Sequence, residues 1–459
     1  MSNYKFLRTP IKVPKVQTKH RLINSSIPAP GTDERIKVLE QYESRSMQGQ
    51  IPIIWDKADD FNIYDKHGNK WIDFTSTIFV ANVGHGNKNV CNAVKQVLEK
   101  PLIHSYAYVN EDRIQYHKKL VEFAGPSFEK AFLLSAGTEA TEAALKLMRM
   151  NGKKNKKRKY GIICIEGNWH GRTMGAQMMS GNPSQKDWIG YHDPNIYHIR
   201  FPYPWVLNEK SGAEFLNSEI QELKNSGIDL KKDICGVMLE TFQGWGAVFY
   251  PIDFVQAFEK ICKQYKILLA FDEMQSGFAR TGKKFGYEHY KVHADLLCCG
   301  KGIASGFPLS AVIGNAEIMD LPEVGNMSST HSANPFVCAA GMETLNEIER
   351  LNLVRETDRK GLIFHQRLDE LRKKYPEHIS FVLGKGLLAA LIFKLPDSNR
   401  PDVLLPSIIS EKAMQKGLLV VHTGRESIKL APPLTITDDA LKEGIEVLDD
   451  SISEAVNNK

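Results

Sequence analysis

Two stretches carry the reading of this chain: Leu268-Leu269-Ala270-Phe271-Asp272-Glu273-Met274-Gln275 and Asp295-Leu296-Leu297-Cys298-Cys299-Gly300-Lys301-Gly302. Each is a short apolar run that stops at a charged residue or a glycine. Four or five apolar residues bounded in this way are too few for a helix and read as strands buried on both faces. The pattern recurs outward from this pair, at 131–134, 160–165, 234–239 and 309–313. Between the first two of these, residues 138–150 carry apolar side chains at helical spacing. Strands alternating with helices predict an α/β fold with a largely parallel sheet covered by helices. Ligands of such sheets sit at the carboxyl ends of the strands, and Asp272 and Lys301 both fall there.

The flanks read differently. Residues 1–35 are polar and proline-containing and are expected to form an extended arm, followed by a helical pattern at 36–48. Ile63–Asp65 and Lys70–Phe74 flank the turn Lys66-His67-Gly68-Asn69, which predicts a hairpin. Residues 87–100 and 111–124 read as helices. A helix opens at Asn334-Pro335, and another pattern covers 351–374. Beyond them come a Gly-Lys-Gly turn, a strand at 387–393, a helix near 404–416, a strand at 427–431 and a terminal helix at 438–456. The expected division is an N-terminal arm with part of a small domain (1–75), a large domain (76–335) and a C-terminal small α+β domain (336–459).

Composition narrows the function classes. Basic residues number 59 and acidic ones 54, a surplus too small for an obligatory nucleic-acid surface. The densest basic run, at 153–159, reads as a solvated loop between a helix and a strand. The seven cysteines follow no regular spacing and most lie in apolar runs, which suits a reducing compartment. The first ten residues lack the apolar core of a signal peptide, and no apolar stretch approaches the ~18 residues that span a bilayer. A cytoplasmic protein is expected. No H-E-x-x-H motif and no Cys/His cluster is present, so no metal is expected. The segment Gly277–Lys284 nearly spells a phosphate-binding Walker loop, but Lys284 stands where the metal-binding hydroxyl would be.

A buried acid and a lysine held at two strand ends suit pyridoxal phosphate. The lysine forms a Schiff base with the aldehyde, and the acid keeps the pyridine nitrogen protonated. Other segments fit the same cofactor. In S-A-G-T-E-A-T (135–141), Gly137 and Thr138 would open a helix and offer N–H groups to an anion. G-N-W-H-G-R-T (167–173) sets Trp169 just past a strand end, where a flat ring can stack. Two further motifs are L-E-T-F-Q-G-W-G (239–246) and S-S-T-H-S-A-N-P (328–335).

From about Tyr42 to the C-terminus, these motifs in this order resemble the class III aminotransferases, a branch of the fold-type-I pyridoxal-phosphate enzymes. The resemblance implies a large domain with a mostly parallel sheet and a smaller α+β domain built from both ends of the chain. It makes Lys301 the catalytic lysine, which moves a proton between the substrate carbon and the cofactor. Asp272 would pair with the ring nitrogen, Trp169 would stack on the ring, and Met274 would pack beneath it. Gly137 and Thr138 would cradle the phosphate. Gln275 would reach the phenolic oxygen, with Glu240 beside the pocket. Thr330 would reach the phosphate of a neighbouring subunit, which implies a homodimer or a dimer of dimers. The 75–85 loop would cover the cofactor, with Ile78 at the substrate entrance. His170 would face the substrate, and Arg172 would hold a distal carboxylate. The implied reaction is a ping-pong transfer from an ω-amine or amino acid of the 4-aminobutyrate, ornithine or acetylornithine type to 2-oxoglutarate or pyruvate.

The chain departs from that pattern at two positions. Trp245 stands where gated members carry a glutamate, and Lys429 stands where many carry a carboxylate-binding arginine. Lysine keeps the charge but loses the planar fork. Arg425, four residues earlier, is the alternative grip. Racemases, aminomutases and decarboxylases of the same fold share the lysine and the acid, and sugar or secondary-metabolite amines remain open as donors.

Overall fold

The computed structural model describes residues 4–49, 51–154 and 158–457. Residues 155–157 of the basic run and the first three residues of the N-terminal arm lie outside the described residues. The chain divides into two compact units. One comprises residues 88–244 and 248–355, the other residues 1–87, 245–247 and 356–459.

The unit holding Lys301 is built on a seven-stranded sheet. From one edge its strands run Lys130–Leu134, Ser310–Gly314, Leu296–Cys299, Leu268–Asp272, Ile234–Glu240, Gly161–Ile165 and Ile196–Ile199. Only Ser310–Gly314 runs antiparallel to its neighbours; the other pairings are parallel. The α/β reading with a mostly parallel sheet therefore holds. The central strands Ile234–Glu240, Leu268–Asp272 and Leu296–Cys299 are buried at every position, which explains their unbroken apolar runs. The helix Gly137–Gly152 covers one face. Its Ala140, Ala144, Leu147 and Met148 pack against Ile162, Met238, Ala270 and Val312. The edge strand Ile196–Ile199 had no clear sequence signal, because it is only half-buried and carries a tyrosine and a histidine.

The second unit holds two sheets. In one, Val16–Gln17, Leu22–Ile23, Lys70–Asp73, Asn62–Tyr64 and Lys57–Asp59 follow in order, and Leu418–Leu419 pairs beside Lys70–Asp73. The other is Ile379–Lys385, Leu388–Phe393, Ser427–Leu430 and Val421–His422. The predicted hairpin is present. Asp65 closes its turn by accepting from the N–H groups of His67 and Asn69, both at 2.9 Å. The N-terminal arm is less extended than expected. Residues 16–23 form a small hairpin that joins this sheet, and a helix starts at Thr32, not at 36. The Gly-Lys-Gly turn also differs. Gly384 and Lys385 end a strand, so the reversal comes one residue later. Among the described residues, no helix is long and apolar enough to cross a membrane.

Candidate active site

The strand Leu268–Asp272 delivers Asp272 to the carboxyl edge of the large sheet, in register with Glu240 on one side and Cys298 on the other. Asp272 is 5% exposed. A buried carboxylate needs partners, since an unpaired one would be expensive. His170 supplies one, with Nδ1 2.9 Å from Asp272 Oδ2, and the Met274 N–H donates to Oδ1 at 3.1 Å. Beside an ionised carboxylate, Nδ1 is the protonated nitrogen. Ser180 holds the histidine in turn, its Oγ accepting from the His170 N–H at 2.8 Å. His170 is thus a buried partner of the acid. The sequence reading has it facing the substrate; here Nδ1 is committed to Asp272, while Nε2 is buried with no hydrogen-bond partner among the described residues. No spacing rule links residues 170 and 272, so the sequence had no means of pairing them.

Lys301 follows the strand Leu296–Cys299 and Gly300, with a left-handed backbone at φ 46°. Burial lowers its pKa from the usual lysine value, against the opposing pull of Asp272 and Glu240. A lysine shifted in this way keeps more of its neutral, nucleophilic form near neutral pH.

The helix Gly137–Gly152 begins beside these groups. Glu139 turns back to accept from the N–H groups of Ser135 and Ala136, at 2.8 and 2.9 Å. Among the described residues, no hydrogen bond engages the N–H groups of Gly137 or Thr138. They remain available to an anion at a helix N-terminus. The Thr138 hydroxyl is already committed. Thr173 Oγ1 donates to Glu142, so Thr138 Oγ1 gives its proton to Thr173 at 2.7 Å. Met274 wedges the cradle against the lysine loop. A Cβ on Gly137 would lie 2.7 Å from Met274 Sδ, and one on Gly300 would lie 2.5 Å from the same sulfur. Gly137→Ala is accordingly expected to weaken cofactor affinity about tenfold, with Met274→Ala in the same chain restoring part of the loss. Titration of the cofactor's visible band checks both.

Glu240 is 5% exposed, and its Oε2 accepts from the Trp169 N–H at 3.0 Å and the Gly244 N–H at 3.3 Å. It fixes the backbone that carries Trp169. The Gln275 amide lies close by: a Cβ on Gly244 would meet Gln275 Nε2 at 2.6 Å and Glu240 Oε1 at 2.9 Å. The exposed Arg172 guanidinium sits 4.5 Å from the Trp169 ring centroid, an ordinary cation–π distance. Thr330 is exposed, and its carbonyl oxygen lies 2.6 Å from His104 Nε2. This unit thus brings together Lys301, Asp272, His170, Glu240, Trp169, Gln275, Gly137 and Met274, although they come from distant parts of the chain.

The family model for class-III aminotransferases matches residues 44–452. The chain belongs to the class III aminotransferases. It is 32% identical to the acetylornithine aminotransferase of Caldanaerobacter subterraneus subsp. tengcongensis, over 88% of this chain and 96% of that protein. It is 33% identical to a 4-aminobutyrate aminotransferase of Escherichia coli, over 89% and 95%. Among solved structures, an ornithine aminotransferase of Toxoplasma gondii with pyridoxal phosphate in partial occupancy superposes with a TM-score of 0.81. It shares 25% identity and covers 93% of this chain and 95% of its own. The protein is therefore a transaminase that uses pyridoxal phosphate. The donor set described above fits that cofactor: a buried acid, a lysine of lowered pKa and uncommitted N–H groups at a helix start.

The remaining predicted residues belong to the second unit. Arg425 lies with its guanidinium 4.1 Å from the Trp245 ring centroid, and Ser427 Oγ donates to the Trp245 carbonyl oxygen at 2.8 Å. Lys429 is 6% exposed, with Nζ 4.5 Å from the Phe79 ring centroid. Ile78 is exposed. Residues 427 and 429 alternate on one face of their strand, so Trp245 and Phe79 line the same side. One feature had no signal in the sequence. Ser76, Thr77, Ile78 and Phe79 have φ of 47°, 51°, 63° and 71°, a left-handed turn made without glycine. Such a conformation costs roughly 1–2 kcal/mol per residue.

Proposed function

We propose that Lys301, Asp272, Trp169, Gln275, Glu240, Gly137, Thr138 and Thr330 hold the cofactor, and that the enzyme transfers nitrogen from an ω-amine or amino acid to 2-oxoglutarate or pyruvate. The donor would be of the acetylornithine, ornithine or 4-aminobutyrate type. The observation that carries this reading is the half-buried lysine of lowered pKa at the same sheet edge as a carboxylate held by histidine. When bound, pyridoxal phosphate supplies an electron sink for the pair left on the substrate carbon. Lys301 Nζ, in its neutral form, would take the proton from that carbon and deliver it to the cofactor's carbon, so that the amino group stays on the cofactor when the oxo acid leaves. Asp272 would balance positive charge at the ring nitrogen, and His170 aims its carboxylate. Trp169 fixes the ring plane, with Arg172 available to a carboxylate at the far end of the substrate.

The test is a half-reaction screen. The loaded enzyme is mixed with single amines, and the cofactor's visible band is followed. Its loss with acetylornithine, ornithine or 4-aminobutyrate, reversed by an oxo acid, is the expected result. Loss with none of them would move the assignment to another donor class or to a racemase, mutase or decarboxylase.

Lys429 is the proposed grip on the acceptor's carboxylate. Lys429→Met is expected to raise the acceptor's KM by about tenfold or more, from the loss of a charge-assisted hydrogen bond. An unchanged KM, with Arg425→Met raising it, would transfer the role to Arg425. A cytoplasmic homodimer is also proposed. The seven free cysteines, six of them buried, suit a reducing compartment. The exposed apolar run Leu102, Ile103, Tyr106, Tyr108 and Val109 suits burial against a second copy. Light scattering tests the mass, and Thr330→Ala should weaken cofactor binding if that residue serves the neighbouring subunit.

A further inference from the structure

The left-handed turn at Ser76–Phe79 is held by a chain of specific bonds. Asp73 is fully buried, and His85 Nε2 lies 2.7 Å from its Oδ2. Asp73 Oδ1 accepts from the Thr75 N–H at 2.7 Å and from the Thr75 hydroxyl at 2.6 Å. Thr75 Oγ1 then accepts from the Thr77 N–H at 3.1 Å. On the other side, Ser76 Oγ donates to the Ala431 carbonyl oxygen at 2.6 Å, and the Ala431 N–H donates to Phe74 O at 2.7 Å. The turn ends by presenting exposed Ile78 and by setting the buried Phe79 ring beneath Lys429 Nζ. Four consecutive non-glycine residues would not adopt this conformation unless their surroundings required it. Backbone strain of this kind persists only where the fold over-determines it.

We infer that Asp73, His85 and Thr75 are positioning residues that clamp a strained turn, and that the turn sets substrate recognition by fixing Ile78 and the Phe79–Lys429 pair. This rests on the reading of Ile78 and Lys429 as substrate contacts. The clamp acts on binding and leaves proton transfer at Lys301 alone. If the clamp is cut, the backbone relaxes toward right-handed geometry, and Phe79 no longer holds the Lys429 ammonium in place. A glycine inside the turn lowers the cost of the left-handed form and removes much of the need for the clamp.

Two substitutions in the cofactor-loaded enzyme test this. Thr75→Val removes the hydroxyl relay at nearly constant volume. It is expected to raise KM about tenfold while kcat stays within about twofold and the cofactor's visible band is unchanged. Adding Thr77→Gly, at an exposed position, is expected to return KM to within about threefold of the starting enzyme. Thr75→Ser, which keeps the hydroxyl, should behave as the unchanged protein. Ser76→Ala, which removes the tie to Ala431, carries the same test if Thr75→Val does not fold, and it too should be rescued by Thr77→Gly. An unchanged KM in the clamp variants would overturn the inference. So would a loss that glycine does not rescue, or a parallel fall in kcat with a shifted band. Failure of the donor reading is distinct, because the unchanged enzyme would then turn over none of the proposed amines.

Discussion

Replacing Lys301 by Ala is expected to lower kcat by about 10³-fold or more, since in the proposed mechanism one side chain supplies both the proton acceptor and the proton donor. The cofactor should still bind, held by Asp272 and the N–H groups of Gly137 and Thr138, but borohydride should no longer attach it covalently to the protein. Covalent attachment in the variant would mean that another lysine does this work. A second consequence follows from the partial desolvation of the amine. The folded pKa of Lys301 lies below its unfolded value of 10.5, so the folded state disfavours the charged form. The resulting penalty to stability is fully present below the folded pKa. It fades as pH rises from there through the unfolded value. In the cofactor-free protein, Lys301→Met should therefore melt higher than the unchanged chain at neutral pH, with the gap closing as pH approaches 10.5. Thermal melts at several pH values measure this, and a gap that widens with pH would contradict the assigned direction.

Asp272→Asn is the second large effect. The asparagine is nearly isosteric, and its oxygen can still accept from His170, so the fold should survive with a loss of about 1–3 kcal/mol at most. The charge is gone, however, and with it the stabilisation of a protonated ring nitrogen. A decrease in kcat of about 10²–10³-fold is expected, of the size seen when one electrostatic partner of a developing charge is removed. His170→Phe should give a smaller decrease of about tenfold, because Asp272 keeps its charge but loses the group that aims it. Equal effects of the two substitutions would mean that the histidine itself takes part in the proton transfer. Single-turnover rates of the half-reaction separate these outcomes from altered binding.

Much of this was legible in the sequence because the relevant signals are local. A strand buried on both faces must be apolar throughout, so the runs ending at Asp272 and before Lys301 could be read directly. A helix announces itself by its first turn and its period, as at Gly137 and at Asn334-Pro335. Where burial was partial, as in Ile196–Ile199, or where a glycine lay inside a strand, as in Ile379–Lys385, the pattern failed. The N-terminal arm misled for a related reason: its two-residue strands are too short to leave a period.

By itself, then, the sequence determined the α/β class, the strand ends that bear the acid and the lysine, and the family that its motifs resemble. Those features depend on covalent order and on alternation over a few residues. Only the tertiary structure decided what each polar group does with its hydrogen bonds. His170 Nδ1 pairs with Asp272, a residue 102 positions away. Trp245 takes Arg425 on its face, Phe79 takes Lys429, and Asp73 clamps a left-handed turn that no residue type in T-S-T-I-F announces. The physical reason is that a buried polar or charged group must find a partner wherever the fold brings one.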